Sequence, residues 1–439
     1  MNAYSEEEYS FESMELFDEK LGNPNLDLLQ GITTYGFETP SEIQQKTIVP
    51  IHKGKNVIGQ AQSGCGKTGA FVIGSLSRLD PTKNKVQIII IANTHELADQ
   101  IRKVVCAIGG RLLRSESQVE LCIGGQVSIE QNIGNINKGR QILVGTPGRI
   151  KHLVYHMING RPLIDISDVN TLILDEADCL LTDKFQDVTI DIIDQLDDPR
   201  YRKTPLQLVI FSATFSPQSL EVARKLCVPE KEDLGDKWKD SSSAPTEVLV
   251  AVEDLTLEAI QQYYYELDCD PRESFRQKVD FIMALNDIVQ MIPMCMIYVN
   301  NRRSAENLKQ ELEKQELACQ CIYGSMTGNQ RQNITAAFRS CETRILISTD
   351  LLGRGFDVQQ VELVINFDLP YVIERNTGEI NKEKMAEYLH RIGRGGRFKR
   401  RGTAINLIAG PAERNRMESI EKYYSTKIEL LPDDISALY

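Results

Sequence analysis

The stretch Asn56-Val57-Ile58-Gly59-Gln60-Ala61-Gln62-Ser63-Gly64-Cys65-Gly66-Lys67-Thr68 fixes the reading of this chain. Asn56-Val57-Ile58 has the character of a strand, and Gly69 to Ser77 has the character of a helix. Between them, Gly64 and Gly66 let backbone N–H groups converge on an anion, and the following helix turns its N-terminus toward the same anion. In a phosphate-cradling loop Lys67 reaches the β- and γ-phosphates and the Thr68 hydroxyl ligates Mg²⁺. Ser63, Gly64, Cys65, Gly66, Lys67 and Thr68 are therefore candidate cofactor-binding residues. The usual pattern opens on Gly where this chain has Ala61, so from this segment alone a Gly-rich turn before a helix stays open.

About a hundred residues downstream, the apolar run Thr171-Leu172-Ile173-Leu174 ends in Asp175-Glu176-Ala177-Asp178. A carboxylate at the end of a strand can hold Mg²⁺, and a second can polarise the attacking water. Lys67, Asp175 and Glu176 are thus candidate catalytic residues, with Thr68 and Asp175 as candidate metal ligands. Acidic residues after a strand can also form a solvated loop. Their pairing with a phosphate loop favours a nucleoside triphosphatase using ATP or GTP.

The chain has 439 residues and 41% hydrophobic content, enough for two or three packed domains. It contains no apolar run near the ~18 residues that span a membrane. The opening, MNAYSEEEYSFESMELF, is acidic and lacks an apolar signal core. Ten cysteines are scattered; Cys319 and Cys321 are too close together for a zinc site and no matching Cys/His pair follows. They read as reduced thiols of a cytosolic or nuclear protein. The net charge of −12 does not favour nucleic acid, although local fields decide such contacts.

Strand-like runs alternate with helical patterns at Val86–Ile91, Val119–Ile123, Gln141–Val144, Thr171–Leu174 and Leu206–Phe211, and Val248–Val252 reads as one more strand. A second alternation covers Met294–Val299, Cys319–Tyr323, Arg344–Ile347, Glu362–Phe367 and Thr403–Ile408, without a phosphate loop of its own. This pattern predicts an α/β fold of two domains, each a parallel sheet with helices on both faces. The expected organisation is an acidic flexible tail over 1–25, an ATP-binding domain over 26–252, a linker over 253–258 and a second domain over 259–439.

These motifs, in this order, resemble the DEAD-box RNA helicases, over nearly all of the chain from about Phe17 onward. The resemblance implies two tandem RecA-like domains that bind ATP and Mg²⁺. Gly36-Phe37 and Pro40-Ser41-Glu42-Ile43-Gln44 resemble the Q motif, which implies that Phe37 stacks on adenine and Gln44 reads its edge, selecting ATP over GTP. Ser212-Ala213-Thr214 resembles the motif that couples the ATP site to RNA. Gly353-Arg354-Gly355-Phe356-Asp357 and His390-Arg391-Ile392-Gly393-Arg394-Gly395-Gly396-Arg397 resemble motifs V and VI. They imply that Asp357 contacts the ribose and that Arg394 and Arg397 are arginine fingers, a role suited to planar guanidinium groups. A basic patch for RNA continuing into Lys399-Arg400-Arg401 is the alternative there. RNA contacts are implied for Thr94, Gly125, Thr146, Arg149, Arg302, Thr349 and Arg354; loop N–H groups, hydroxyls and Arg meet phosphate and sugar, so single-stranded RNA is bound with little sequence preference.

Departures fall on the RNA path more than on the ATP chemistry. Asn93 and His95 stand where Pro and Arg are usual, Cys65 replaces Thr or Ser, Gly328 replaces Gln, Tyr323 replaces His, and 371–387 is an insertion. Within the family, YGFETPSEIQQKTIVPI, VIGQAQSG and DLTLEAIQQYY resemble the translation-initiation branch, the initiation factor 4A type; the insertion and KIELLPDDISAL also resemble the mRNA-export branch. The expected function is an RNA-stimulated ATPase that unwinds or remodels RNA in translation initiation, with an ATP-gated clamp or export remodeller of slow, partner-controlled turnover as the alternative. The expected partners are single-stranded RNA and a scaffold or activator protein bridging the two domains, with no membrane. The expected state is a monomer in the cytoplasm, and also in the nucleus.

Overall fold

The structure is a computed structural model that describes residues 10–17, 25–62, 64–113, 115–125, 127–155, 157–158, 161–162, 164–182, 185–201, 205–228, 244–249, 260–268, 273–289, 294–349, 361–373, 379–393 and 402–432. The chain forms two compact units, the first ending at Leu249. The first unit runs α1 (Leu26–Tyr35), α2 (Glu42–His52), β1 (Val57–Gln60), α3 (Lys67–Leu76), β2 (Ile88–Ile91), α4 (His95–Gly109), β3 (Val119–Cys122), α5 (Ile129–Ile136), β4 (Ile142–Gly145) and α6 (Pro147–Tyr155). A short hairpin of β5 (Met157–Ile158) and β6 (Arg161–Pro162) follows, then β7 (Thr171–Leu174), α7 (Ala177–Leu180), α8 (Gln186–Asp197), β8 (Gln207–Ser212), α9 (Pro217–Cys227) and β9 (Thr246–Val248). The second unit runs β10 (Ile260–Leu267), α10 (Ser274–Val289), β11 (Cys295–Tyr298), α11 (Arg302–Lys314), β12 (Gln320–Ile322), α12 (Gly328–Arg339), β13 (Ile345–Ser348), β14 (Leu363–Asn366), α13 (Lys382–Ile392), β15 (Gly402–Ala409), α14 (Gly410–Tyr424) and β16 (Glu429–Leu430).

Among the described residues each unit is built on one seven-stranded sheet, ordered β3-β4-β2-β7-β8-β1-β9 in the first and β12-β13-β11-β14-β15-β10-β16 in the second. The strand pairs of both sheets are parallel. With the β5–β6 hairpin set aside, replacing β1, β2, β3, β4, β7, β8 and β9 by β10 to β16 in turn makes the two orders identical. One RecA-like plan is therefore used twice. Parallel strands need crossover helices, which cover both faces and demand apolar side chains on both. Ile88 and Ile90 enter one core cluster while Ile89 and Ile91 enter the other. Met296 and Tyr298 likewise part from Cys295 and Ile297. This is the period of two that a pleated strand imposes.

Three sequence expectations differ from what is found. Residues 10–17, assigned to a flexible tail, form a turn and a short 3₁₀ helix whose Phe11, Met14, Leu16 and Phe17 are buried in the first unit's core. The acidic residues between them obscured that apolar spacing. The edge strand β9, Thr246–Val248, begins two residues before the expected Val248, with Thr246 N donating to the Asn56 carbonyl at 2.8 Å; residues 250–252 lie outside the described residues. The long strand β10 was not anticipated: Ile260-Gln261-Gln262-Tyr263-Tyr264-Tyr265-Glu266-Leu267 is polar because much of it is only half-buried, yet it pairs with β15 along its whole length. The linker 253–258 and the segment 229–243 lie outside the described residues. In the insertion at 371–387, Ile373 bridges Ile380 in antiparallel fashion. No described helix is long and apolar enough to cross a membrane.

Candidate nucleotide site and nucleic-acid interface

Because every strand in a parallel sheet points the same way, the carboxyl ends line one edge, where α/β folds bind ligands. The phosphate-loop segment leaves β1, the Asp-Glu-Ala-Asp segment leaves β7, and Ser212 closes β8, the strand between them. Strand order thus gathers three segments that are remote in sequence.

The loop from Ala61 to Gly66 joins β1 to α3. Gly66 caps α3 at φ 91°, ψ 16°, in the left-handed region. A Cβ there would stand 2.6 Å from Gln44 Nε2, so a second restriction adds to the backbone one. Gly64 and Cys65 are exposed, Thr68 is half-buried, and Ser63 lies outside the described residues. Lys67 is buried, and its Nζ donates to the Ala61 carbonyl at 2.7 Å, closing the loop on itself.

Asp175 and Glu176 are 3% and 4% exposed. Burial first, and the neighbouring Glu176 charge second, raise the Asp175 carboxyl to about 7, while Lys67 pulls it the other way. The Glu176 backbone sits at φ 51°, ψ 50°, unusual for a residue with a side chain. Its N–H donates to Asp175 Oδ1 at 3.0 Å, and its buried Oε2 has no hydrogen-bond partner among the described residues. Two buried carboxyls, one of them without a full set of partners, make a hard-oxygen environment that fits a divalent cation.

The last residue of the segment faces a different strand. Asp178 Oδ1 lies 2.9 Å from Ser212 Oγ, and Asp178 Oδ2 accepts from Thr214 Oγ1 at 3.3 Å. The acidic segment and the Ser-Ala-Thr segment are therefore one hydrogen-bonded unit.

The Phe37 and Gln44 segment packs onto the loop from outside the sheet. Ser41 and Gln44 form a capping box at the start of α2, with Ser41 N donating to Gln44 Oε1 at 2.9 Å. Gln44 Nε2 donates to the Gly66 carbonyl at 3.1 Å, and Ser41 Oγ donates to the Cys65 carbonyl at 2.7 Å. A carboxamide has two N–H groups and two lone pairs, so Gln44 retains capacity for a base edge beyond these bonds. A Cβ on Gly69 would come within 2.8 Å of the Phe37 ring, so this helical glycine lets α3 lie against Phe37.

Further along the edge, Thr94 caps α4, its Oγ1 accepting from Leu97 N at 3.2 Å. Gly125 follows β3 at φ 80° and is exposed; Thr146 follows β4 and is half-buried. Arg149 is held internally: its Nη1 donates to the Val127 carbonyl at 2.8 Å and to Asn132 Oδ1 at 2.6 Å, while Asn132 donates to buried Glu120 at 2.8 Å.

In the second unit the segments again leave strand ends. Arg302 opens α11 after β11, is exposed, donates to Glu306 Oε1 at 2.9 Å and lies over the Tyr323 ring at 4.8 Å. Tyr323 OH also donates to Glu306 Oε1, at 2.7 Å. Thr349 follows β13 and is half-buried. Arg391 is fully buried, donating to the Asp368 carbonyl at 2.7 Å, Glu387 Oε1 at 2.9 Å and Asn300 Oδ1 at 3.1 Å. Arg354, Asp357, Arg394 and Arg397 lie outside the described residues.

Comparison with known proteins matches this layout. A model described as "DEAD/DEAH box helicase" matches residues 41–222, and one described as "Helicase conserved C-terminal domain" matches residues 277–399. The "ATP-dependent RNA helicase eIF4A" of Kluyveromyces lactis is 40% identical over 438 residues, covering 100% of this chain and 96% of that protein. The chain belongs to the DEAD/DEAH box helicases. Among solved structures, the helicase is similar to "S. cerevisiae Dbp5 bound to RNA and ADP BeF3" at a TM-score of 0.76 and 29% identity, covering 94% of each chain. It is also similar to a substituted form of S. cerevisiae Dbp5 bound to Gle1 and IP6, at a TM-score of 0.71 and 29% identity, covering 98% of this chain and 96% of that one.

Within this DEAD/DEAH box helicase, several partners were not singled out by sequence. Asp178 was quoted only as part of its motif, and its bonds to Ser212 and Thr214 depend on β7 and β8 being neighbours. Ser41 could have been found, since Ser-x-x-Gln ahead of an apolar run signals a capping box. Nothing local marks Arg149 and Arg391 as internally bonded.

Proposed function

We propose that this chain is an ATP-dependent RNA helicase whose ATP hydrolysis is stimulated by RNA. The observation that carries this reading is the convergence of Lys67 with the buried Asp175–Glu176 pair at one sheet edge, tied to Ser212 and Thr214 through Asp178. The full-length likeness to ATP-dependent RNA helicases supports it.

In this reading Phe37 and Gln44 receive adenine, and Ser63 through Thr68 cradle the phosphates, with Lys67 balancing their charge. Thr68 and Asp175 would hold Mg²⁺, which would neutralise phosphate charge when bound. Glu176 orients the attacking water. Asp357 is assigned to the ribose and Arg394 and Arg397 to the γ-phosphate by their motifs alone. Thr94, Gly125, Thr146, Arg149, Arg302, Thr349 and Arg354 contact the backbone of single-stranded RNA. Arg149 does so chiefly by fixing the loop before α5, since its Nη1 already serves Val127 and Asn132. The domain limits proposed are those of the sequence reading, 26–252 and 259–439, with residues 10–17 joining the core of the first.

The relatives named eIF4A support a role in translation initiation, in the cytoplasm. A scaffold or activator protein as partner is in line with the likeness to Dbp5, which has been solved bound to Gle1 and IP6; a monomeric state and presence in the nucleus as well belong to the same proposal. That likeness favours partner-controlled turnover as the second reading. ATP hydrolysis measured with and without single-stranded RNA, beside release of a labelled strand from a short duplex, tests the proposal. Glu176→Gln should keep ATP and RNA binding while hydrolysis falls by about 10²-fold or more, in line with loss of a positioned catalytic group. Hydrolysis near the wild-type rate in that variant refutes the assignment.

A further inference from the structure

We infer that Glu120 is a positioning residue for RNA binding, acting through Asn132 and Arg149; the inference rests on the reading of Gly125, Thr146 and Arg149 as RNA contacts. Glu120 lies on β3, the edge strand of the first sheet, and is 7% exposed. By the period of two it shares the face of Cys122, where the core cluster is otherwise apolar. A buried carboxylate persists only where donors surround it. Three do so here. Oε1 accepts from Asn132 Nδ2 at 2.8 Å and from Asn135 Nδ2 at 3.0 Å, and Oε2 accepts from Arg140 Nε at 3.2 Å. Asn132 and Asn135 lie one turn apart on α5, and Arg140 stands between α5 and β4.

Asn132 carries the effect onward. It is fully buried. A carboxylate can only accept, so the Asn132 amide has to turn its NH₂ group toward Glu120. Nδ2 also donates to the Leu121 carbonyl, at 3.2 Å. The amide oxygen is thereby left for Arg149, whose Nη1 donates to it at 2.6 Å. The same Nη1 donates to the Val127 carbonyl at 2.8 Å, in the loop between Gly125 and α5. Ser128 follows and caps α5, its Oγ accepting from Gln131 N at 3.2 Å. The chain of bonds from Glu120 therefore ends on two segments. One is the loop after β3, which carries Gly125; the other is the first turn of α6, which follows Thr146.

Packing does not ask for a charge at this place, and desolvating one is costly. What the charge adds is direction. It fixes which end of the Asn132 amide meets the guanidinium, and so holds Arg149 and the loop together before RNA arrives. That removes an ordering cost from RNA binding. None of these bonds involves Lys67, Asp175 or Glu176, so the effect falls on RNA and leaves the nucleotide alone.

Fluorescence anisotropy of a labelled oligouridylate with the full-length protein, beside calorimetric titration with ADP, tests this. Glu120→Leu should weaken oligouridylate binding about 3–10-fold, the worth of one hydrogen bond, and leave ADP within about twofold. The oligouridylate concentration that half-stimulates ATP hydrolysis should rise by the same factor while kcat at saturation holds. Asn132→Leu leaves Glu120 with Asn135 and Arg140 and should show the same RNA-only defect; it serves if Glu120→Leu does not fold. Combined with Arg149→Ala, either variant should weaken RNA binding no further than Arg149→Ala does alone, since both act through that guanidinium. Additive losses in the combined variants, equal weakening of RNA and ADP, or unchanged RNA binding in the variants that fold each overturn the inference. Arg149→Ala alone separates the two layers. If it weakens RNA binding and the Glu120 and Asn132 variants do not, only the positioning role fails; if it has no effect, the RNA reading of Arg149 fails and the positioning role with it.

Discussion

Replacing Asp175 by Asn should stabilise the nucleotide-free protein, and more so at pH 8 than at pH 5. Asp175 is 3% exposed, and burial together with the Glu176 charge lifts its carboxyl from the ordinary 3.8 to about 7. Between those values the folded chain binds a proton that the unfolded chain has released, so stability falls as pH rises from about 4 to about 7 and levels off above. A carboxyl raised from 3.8 to about 7 corresponds to ~4 kcal/mol, and the part lost between pH 5 and pH 8 is about 2–3 kcal/mol. An asparagine carries no charge to bury and keeps the oxygen that accepts from Glu176 N. The loss of the counter-charge to Lys67 offsets part of the gain at both pH values, so the change between them is the cleaner quantity. Scanning calorimetry of wild type and Asp175→Asn at the two pH values reads it. The advantage of the variant should grow by several degrees from pH 5 to pH 8, at about 2–4 °C per kcal/mol for a unit of this size. An advantage that is constant with pH, or that shrinks, would show that Asp175 is ionised in the folded state well below neutrality and would refute the argument.

Asp178→Ala removes the acceptor of Ser212 and Thr214; a stability loss of about 1–3 kcal/mol in denaturant titration is expected, with ATP binding retained and strand release lost. Wild-type strand release in that variant would deny the link between the two segments. Gln44→Ala loses both the helix cap and the tie to Gly66, so the KM for ATP should rise about tenfold, and the native chain should use GTP poorly; equal use of the two nucleotides argues against adenine reading. Cys65 is exposed on the phosphate loop, whereas Cys122 and Cys295 are buried and burial pushes their thiols up. A maleimide should therefore inactivate the ATPase by modifying Cys65, with Mg-ATP slowing the loss. Peptide mapping that ties inactivation to exposed Cys341 would assign it elsewhere.

The sequence alone determined the class of fold and the loop chemistry. Gly-Cys-Gly-Lys-Thr after a short apolar run, and two acids after Thr171-Leu172-Ile173-Leu174, are local patterns, and a fully buried parallel strand has to be apolar on both faces. For that reason β7 is found at its expected limits and β2, β3 and β4 within two residues of theirs. β10 escaped the same reading because its half-buried positions carry Gln and Tyr, so no apolar run marks it. Only the tertiary structure decided which polar groups serve chemistry and which serve the scaffold. Asp178 meets Ser212 because β8 lies beside β7; Arg149 is bound to Val127 and Asn132, and Arg391 to Asp368, Glu387 and Asn300. Phe11 joins the core and stacks on the ring of Phe37, far along the chain. Such contacts follow from strand order and from the helix faces it brings together, and a residue's immediate neighbours in the chain carry no record of either.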